Sequence, residues 1–370
     1  MLIGIDAHNL EGNRTGVGRY LINLLQEWSK LNFQLILYFK KEIPNDIPSC
    51  DLFKVKLLNV GSTAKFIHWD LCQAARKDKV DILFCPGYVA PIFWRGKLAL
   101  TLHDIIYEAH PEWFNWNSPA DKILLKWVSK KSARKAQVIF VPSEFTRQEV
   151  IKHYRVAPEK VILTYLASDQ NFSETGVGNI EAIKKKYRIE DKFVFYIGSI
   201  FDRRHLPEVI QAFGKLAAQR PDYQLLLAGK DYTRQKNIAD LIVRLNDSLS
   251  REVVVRVDFI GDSDLKLLYS ACAFFIWLSD YEGFGLPPLE AMQNGAPMIT
   301  SGNTSLEEVA GEAALLIKDN FDVEEIYQAM RKVIENDNLR ADLVKKGREQ
   351  ANKFSWQECA QLTLNVLLNS

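Results

Sequence analysis

Short apolar runs of strand length alternate with segments of helical period along most of this chain, and that alternation limits what it can fold into more than any other feature. Strand-like runs at Leu2 to Ile5, Phe33 to Phe39, Asp81 to Cys85, Leu98 to Leu102, Val138 to Val141 and Val161 to Leu166 are separated by segments that predict helices over Gly18 to Leu31, Ala64 to Lys77, Pro119 to Ala136 and Ser143 to Tyr154. Such an order builds a parallel sheet with helices on its faces. The pattern stops between Ser168 and Asp191, where the chain turns polar around a short charged helix at Glu181 to Tyr187, as an interdomain connection does. It restarts with strands at Phe193 to Gly198, Gln224 to Ala228, Val253 to Ile260 and Ala273 to Leu278, and helices at Leu206 to Gln219 and Arg234 to Leu245. Closing helices are expected at Val323 to Glu335, Leu339 to Lys353 and Trp356 to Leu368, the last capped by Ser355. The expectation is an α/β protein of two doubly wound, Rossmann-like domains. The first covers residues 1–175, joined by the C-terminal helix 356–370, and the second covers residues 190–355.

A length of 370 residues agrees, since one hydrophobic core rarely organises that much chain. A net charge of +1, from 47 basic and 46 acidic side chains, gives no general attraction for nucleic acid, so no nucleic-acid partner is expected. Five scattered cysteines, without Cys-x-x-Cys or Cys/His spacing, argue against a disulfide framework or a zinc site. No run of eighteen apolar residues occurs and no basic-then-apolar leader opens the chain, so the expected setting is cytoplasmic, with at most a peripheral contact at the inner face of a membrane.

Doubly wound sheets take ligands at the carboxyl ends of their strands, and the distinctive motifs fall there. Glu282 and Glu290 bracket Tyr281-Glu282-Gly283-Phe284-Gly285-Leu286-Pro287-Pro288-Leu289-Glu290-Ala291-Met292, a glycine-flexed turn followed by a proline pair that can start a helix. The free amides of such a turn suit a phosphate, and Glu290 is expected in the helix's opening turn. After the strand at Phe193 to Gly198 come Arg203 and Arg204, whose fork-shaped donors can neutralise a diphosphate; the alternative is a solvated basic turn. After the strand at Leu98 to Leu102 comes His103-Asp104, followed by Tyr107, His110 and the aromatics Trp113, Phe114 and Trp116. A lone histidine there is either a cleft residue or a structural one. Gly16 and Gly18 open the first helix without completing a dinucleotide fingerprint, and either admit a ligand or serve helix packing.

These motifs together resemble the GT-B retaining glycosyltransferases of family four, and among them the bacterial GDP-mannose-dependent α-mannosyltransferases. The resemblance rests on Thr15-Gly16-Val17-Gly18-Arg19-Tyr20, His103-Asp104, Val141-Pro142-Ser143-Glu144-Phe145, Gly198-Ser199 with Arg203-Arg204, Tyr281 to Met292, and Phe354-Ser355-Trp356. It implies that Glu290 binds the nucleotide ribose, that Glu282 lies by the donor sugar with His103 near the transferred ring, and that Gly283, Phe284, Gly285 and Leu286 contact sugar and phosphate. It implies that Arg203 and Arg204 hold the diphosphate, and that the first domain takes the acceptor. Departures are Arg204-His205 for the usual Lys-Asn, Ala167-Ser168-Asp169 for a glycine before Asp, and Gly261-Asp262-Ser263 for Gly-Tyr-Val near the base.

The expected function is therefore transfer of mannose from GDP-mannose, with retention, to a glycan or lipid-linked acceptor. No cofactor and no divalent metal are expected, because arginines and helix amides can stabilise the leaving diphosphate and no Asp-x-Asp motif is expected at the donor site. The alternatives are a transferase using a UDP- or dTDP-sugar, or a non-transferring nucleotide-sugar binding protein or epimerase. Lys122, Lys126, Lys130 and Arg134 recur at every fourth residue, with Ile123, Leu124 and Trp127 available to other faces. That helix either rests on anionic lipid or is a solvated face.

Overall fold

The computed structural model describes residues 1–12, 14, 16–114, 116, 118–168, 180–189, 192–233 and 238–370. Two compact units emerge, one of residues 1–166 with 355–370 and one of residues 167–354.

In the first unit, strands β1 (Leu2–Asp6), β2 (Gln34–Phe39), β3 (Phe53–Leu57), β4 (Ile82–Cys85), β5 (Lys97–Thr101), β6 (Val138–Val141) and β7 (Val161–Leu163) form one parallel sheet ordered β3-β2-β1-β4-β5-β6-β7. The inner strands are continuous runs of apolar residues because helices cover both faces. Strand β3 does not stand out in the sequence: it is an edge strand, and Lys54 and Lys56 alternate with apolar residues along it. Strand order reverses at β1, where Ile5 pairs with Leu37 on one side and Phe84 on the other. That junction is the sheet's topological switch point.

The helix expected over residues 64–77 is interrupted. An α-turn at Thr63–Lys65 runs into a π-turn at Phe66–Asp70 and returns to α-helix at Leu71–Lys77. The last helix, Trp356–Asn369, starts at Ser355, whose hydroxyl accepts from the Glu358 amide at 3.4 Å, and it packs on the helix Gly16–Trp28. Trp28 is fully buried there and donates its indole N–H to the Ala360 carbonyl at 2.9 Å.

In the second unit, β8 (Lys192–Ile197), β9 (Tyr223–Ala228), β10 (Val254–Val257), β11 (Phe274–Trp277), β12 (Met298–Ser301) and β13 (Ala314–Ile317) form a parallel sheet ordered β10-β9-β8-β11-β12-β13. Its switch point lies between β8 and β11, where Phe275 faces Phe195. Phe195, Tyr269 and Phe275 close a triangle of edge-on rings with centroids 5.3–5.8 Å apart, an aromatic core under that junction. The expected connection lies largely outside the described residues, apart from the helix Ile180–Lys186 and its flanks. The first four residues of the helix expected from Arg234 also lie outside them, and the described helix is Ile238–Ser248. Strands β12 and β13, four residues each, did not stand out in the sequence.

Candidate active site

Two loops leave the carboxyl ends of the neighbouring strands β8 and β11, and they carry most of the residues singled out above. The loop after β8 begins at Gly198, with φ +149°, where a Cβ would sit 2.5 Å from the Trp277 indole. It then makes a single 3-10 turn over Asp202–Arg204 and enters the helix Leu206–Gln219 through His205, held at φ +48°. The loop after β11 runs through Ser279, Asp280, Tyr281 and Glu282 to Gly285, whose φ of +106° turns the chain into the helix Leu286–Gln293. Glu290 is the fifth residue of that helix, one turn further in than its opening turn, because the helix starts at Leu286 ahead of the prolines.

The two loops are zipped together. The Asp280 amide donates to the Arg203 carbonyl at 3.0 Å, and Arg203 Nε donates to the Tyr281 carbonyl at 3.3 Å. Arg204 Nε donates to Glu282 Oε1 at 3.0 Å, and its Nη1 donates to the Ser199 carbonyl. His205 Nε2 donates to Asp280 Oδ2 at 2.6 Å. The other Asp280 oxygen accepts from Asn320 at 2.9 Å, Asn320 accepts from Ser301 at 2.7 Å, and Ser301 accepts the Ser279 amide at 2.9 Å. One polar network thus fixes four segments against each other.

Arg204 is the centre of this arrangement. It is buried, with its guanidinium 4.2 Å from the centroid of Trp277, a cation–π contact in a desolvated place. Burial works against its charge, but the Glu282 carboxylate and the Tyr196 hydroxyl outweigh it and raise its pKa above the ordinary value. Arg203 lies over Phe201 at 4.4 Å, and Phe201 in turn stacks on Tyr232 at 5.4 Å. Ser305 bonds to the carbonyls of Glu282 (2.8 Å) and Phe284 (3.0 Å), tying that side of the turn back to the fold. The amides of Phe284, Gly285 and Leu286 make no hydrogen bond among the described residues, and the two prolines that follow have none to offer. Free amides at a helix start, with two guanidinium groups on the neighbouring loop, are the kinds of donor that suit an anion. Glu290 is 2% exposed and accepts from the Tyr269 hydroxyl at 3.3 Å.

His103, Gly16 and Gly18 belong to the other unit. His103 follows β5 and is half-buried, with Nε2 3.0 Å from the Pro86 carbonyl. A carbonyl only accepts, so Nε2 carries the proton and Nδ1 is left as an acceptor. Burial lowers its pKa to about 4 against the Pro86 bond that raises it, so the ring is neutral at physiological pH. Its neutral form is favoured by folding, which gives stability fully present above the ordinary value of 6.5 and lost as pH falls toward 4. Urea titrations of the wild type should therefore weaken across that window, and those of His103→Gln should lose part of the slope; parallel curves would contradict the burial effect. Gly16 opens its helix with nothing within 4 Å of a Cβ. Gly18 lets the helix meet the Asn9 carbonyl, which a Cβ would approach to 2.5 Å, so at this position close packing accounts for the glycine. Thr15 and Asp169 lie outside the described residues.

Sequence reasoning did not single out Trp277, Phe201, Asp280 or Ser305, which contact the two arginines, His205 and the 282–284 turn. A tryptophan ending an apolar strand and a serine starting a short helix carry no local signature. The chain does contain one Asp-x-Asp triplet, Asp262-Ser263-Asp264. Asp264 accepts from Lys186 Nζ at 2.5 Å and from the Tyr187 hydroxyl at 2.7 Å, a structural engagement between helices.

Two family models match the chain: Glycosyltransferase Family 4 over residues 14–169, and Glycosyl transferases group 1 over residues 179–350. The O-antigen chain mannosyltransferase B of Escherichia coli is 31% identical over 375 residues, covering 95% of each chain. A serotype-specific mannosyltransferase of Escherichia coli is 33% identical over 235 residues, 62% of this chain and 28% of that protein. The crystal structure of WaaG, a glycosyltransferase involved in lipopolysaccharide biosynthesis, matches with a TM-score of 0.76 at 16% identity, over 99% of both chains. Anabaena HepE in complex with UDP-glucose matches with a TM-score of 0.75 at 17% identity, over 100% of this chain and 99% of that one. These structural likenesses agree with the GT-B fold, two Rossmann-like parallel-sheet units.

Proposed function

Since the chain belongs to the family-four glycosyltransferases and is a hexosyltransferase, we propose that it moves mannose from GDP-mannose, with retention, to a glycan or lipid-linked saccharide. The observation that carries the chemistry is the anion site of the second unit, where Arg203 and Arg204 stand beside the amides of Phe284, Gly285 and Leu286. Loss of a diphosphate from an anomeric carbon adds one negative charge to a group that already carries two, and fixed donors in a desolvated place stabilise it without reorganising. The arginines supply the neutralising charge in this scheme, without a divalent ion. Glu282, restrained by Arg204, lies by the donor sugar; Glu290 takes the ribose hydroxyls; and His103, neutral, offers Nδ1 to a sugar hydroxyl. Mannose as the sugar is supported by the Escherichia coli relative named a mannosyltransferase.

A thermal-shift panel of GDP, UDP, ADP and dTDP, with their sugars, tests the donor. GDP at one hundred times its Kd should stabilise the protein by about 2.7 kcal/mol. Stabilisation by UDP alone would replace the GDP-mannose assignment with a UDP-sugar, the class of ligand that Anabaena HepE holds in its UDP-glucose complex.

Peripheral contact with a membrane belongs to the same proposal, but through a different face of the basic helix than its lysine spacing suggests. In the helix Pro119–Lys135, Lys126 and Lys130 lie 3.4 and 3.9 Å from Glu108, and Arg134 Nε donates to the Tyr154 carbonyl at 3.1 Å. The expected basic stripe is thus engaged by the protein. What faces solvent is Ile123 (70% exposed), Leu124 (58%) and Trp127 (51%), with Lys131 4.6 Å over the Trp127 ring. An apolar wedge with a cation at its edge suits an anionic bilayer surface. Among the described residues no helix is long and apolar enough to cross a membrane. Sedimentation with anionic liposomes should fall several-fold for a Leu124→Ser, Trp127→Ser variant, whereas equal pelleting of both proteins would remove this face from consideration.

A further inference from the structure

The carboxyl end of β1 carries a pair of side chains that the donor chemistry leaves unused. Asp6, the last residue of β1, is 2% exposed, and its Oδ1 accepts from His8 Nδ1 at 2.6 Å and from the His8 amide at 3.2 Å. A carboxylate that takes Nδ1–H fixes both the tautomer and the direction of the ring, and leaves Nε2 as the outward atom. That Nε2 makes no hydrogen bond among the described residues, while the His8 side chain keeps 17% exposure. The imidazole rests edge-on against Phe66 at 5.5 Å, and Phe66 is the first residue of the π-turn that interrupts its helix. Single π-turns inside α-helices are frequent at functional sites.

The position is the switch point of the first sheet, next to the end of β4. Beside it the Asn9 carboxamide nitrogen comes to 3.5 Å from where a Cβ on Gly87 would be. Pro86, just before that glycine, holds His103 at the end of β5. Two strand spacings separate β1 from β5, about 10 Å, roughly the breadth of one or two pyranose rings. The chemistry on offer is an imidazole nitrogen, a carboxamide and an aromatic edge behind a buried carboxylate. A phosphate would be repelled by Asp6; a neutral polyhydroxyl ring would not.

We propose that Asp6 and His8 form an acceptor-hydroxyl site, in which His8 Nε2 hydrogen-bonds a hydroxyl of the acceptor glycan and Asp6 is the positioning residue that aims it. This rests on the transferase function proposed above. Besides Asp6, the charged groups acting on the ring are Lys40 from the end of β2 and Glu11 from the turn that follows. Burial pulls the imidazole pKa down and the Asp6 carboxylate pulls it up, with a net rise above 6.5.

The test uses the full chain, GDP-mannose and p-nitrophenyl α-mannoside as the acceptor probe, with GDP release followed with and without acceptor. His8→Gln and Asp6→Asn should each raise the acceptor KM about tenfold, with donor KM and acceptor-free GDP release unchanged. The wild-type acceptor KM should change as pH passes through the raised imidazole pKa, above the ordinary 6.5, and His8→Gln should lose that change. An unchanged acceptor KM, or equal loss of donor and acceptor binding with a lower Tm, overturns the site. A wild-type protein that releases no GDP from GDP-mannose overturns the proposed donor first, and the acceptor site with it.

Discussion

Arg204→Ala is expected to lower kcat by about 10²–10³-fold and to destabilise the protein by about 3–5 kcal/mol. Both effects have one origin. The guanidinium is buried between Trp277, the Ser199 carbonyl and Glu282, and removing it leaves a largely buried carboxylate without its partner. It also removes a donor from the place where the diphosphate's charge is proposed to build up. Arg204→Lys keeps a charge but cannot reach the Glu282 oxygen and the Ser199 carbonyl from one planar fork, so it should recover stability better than rate. Glu282→Gln separates the two contributions: combined with Arg204→Ala it should cost less stability than the two single changes added together, because each already breaks the same pair. Steady-state rates with GDP-mannose and urea unfolding of the wild type and the four variants give the answer. Full turnover in Arg204→Ala would falsify the diphosphate role.

Gly229→Ala is expected to cost about 2–5 kcal/mol, unusually much for one added methyl group. Gly229 follows β9 at φ +137°, and a Cβ there would lie 2.0 Å from the Gly198 carbonyl oxygen. The obstacle is backbone, which cannot swing aside as a side chain does. Gly198 is itself pinned, by its amide to the Ala228 carbonyl at 2.9 Å and by the Trp277 ring against its Cα. Any retreat would carry Ser199 along and loosen Arg204, so donor affinity should fall with stability. Gly61→Ala is the control, since nothing lies within 4 Å of its Cβ, and its unfolding midpoint should hardly move. Equal midpoints for both variants would mean that the β8 and β9 ends are not in this close contact.

The sheets were legible because strands buried on both faces must be apolar throughout, and Leu2 to Ile5 or Val138 to Val141 can be little else. β3 was not, because an edge strand gives one side to water. The Gly283 to Leu286 turn was legible for a different reason: glycine admits the left-handed backbone that Gly285 adopts at φ +106°, and the proline pair marks the helix start. What no local pattern shows is pairing across 78 residues, as between Arg204 and Glu282. Read separately, the two side chains are expected to have separate tasks, one for phosphate and one for sugar, whereas the folded protein joins them in one ion pair. The same holds on the helix Pro119–Lys135, where every-fourth spacing aligns lysines but cannot reveal that Glu108 waits on that side.

The return of residues 355–370 to the first unit also bears on how the protein is made. The ribosome delivers 166 residues of that unit, then the whole second unit, and only then the helix that Trp28 and Tyr20 pack against. The second unit is contiguous in sequence and can complete itself while the chain is still growing; the first cannot. Until residues 355–370 have emerged, its surface along the helix Gly16–Trp28, with the Trp28 indole N–H unpaired, stays open to solvent and to chaperones. A stop codon before residue 355 would therefore damage the opposite end of the sequence, the unit that has been waiting longest.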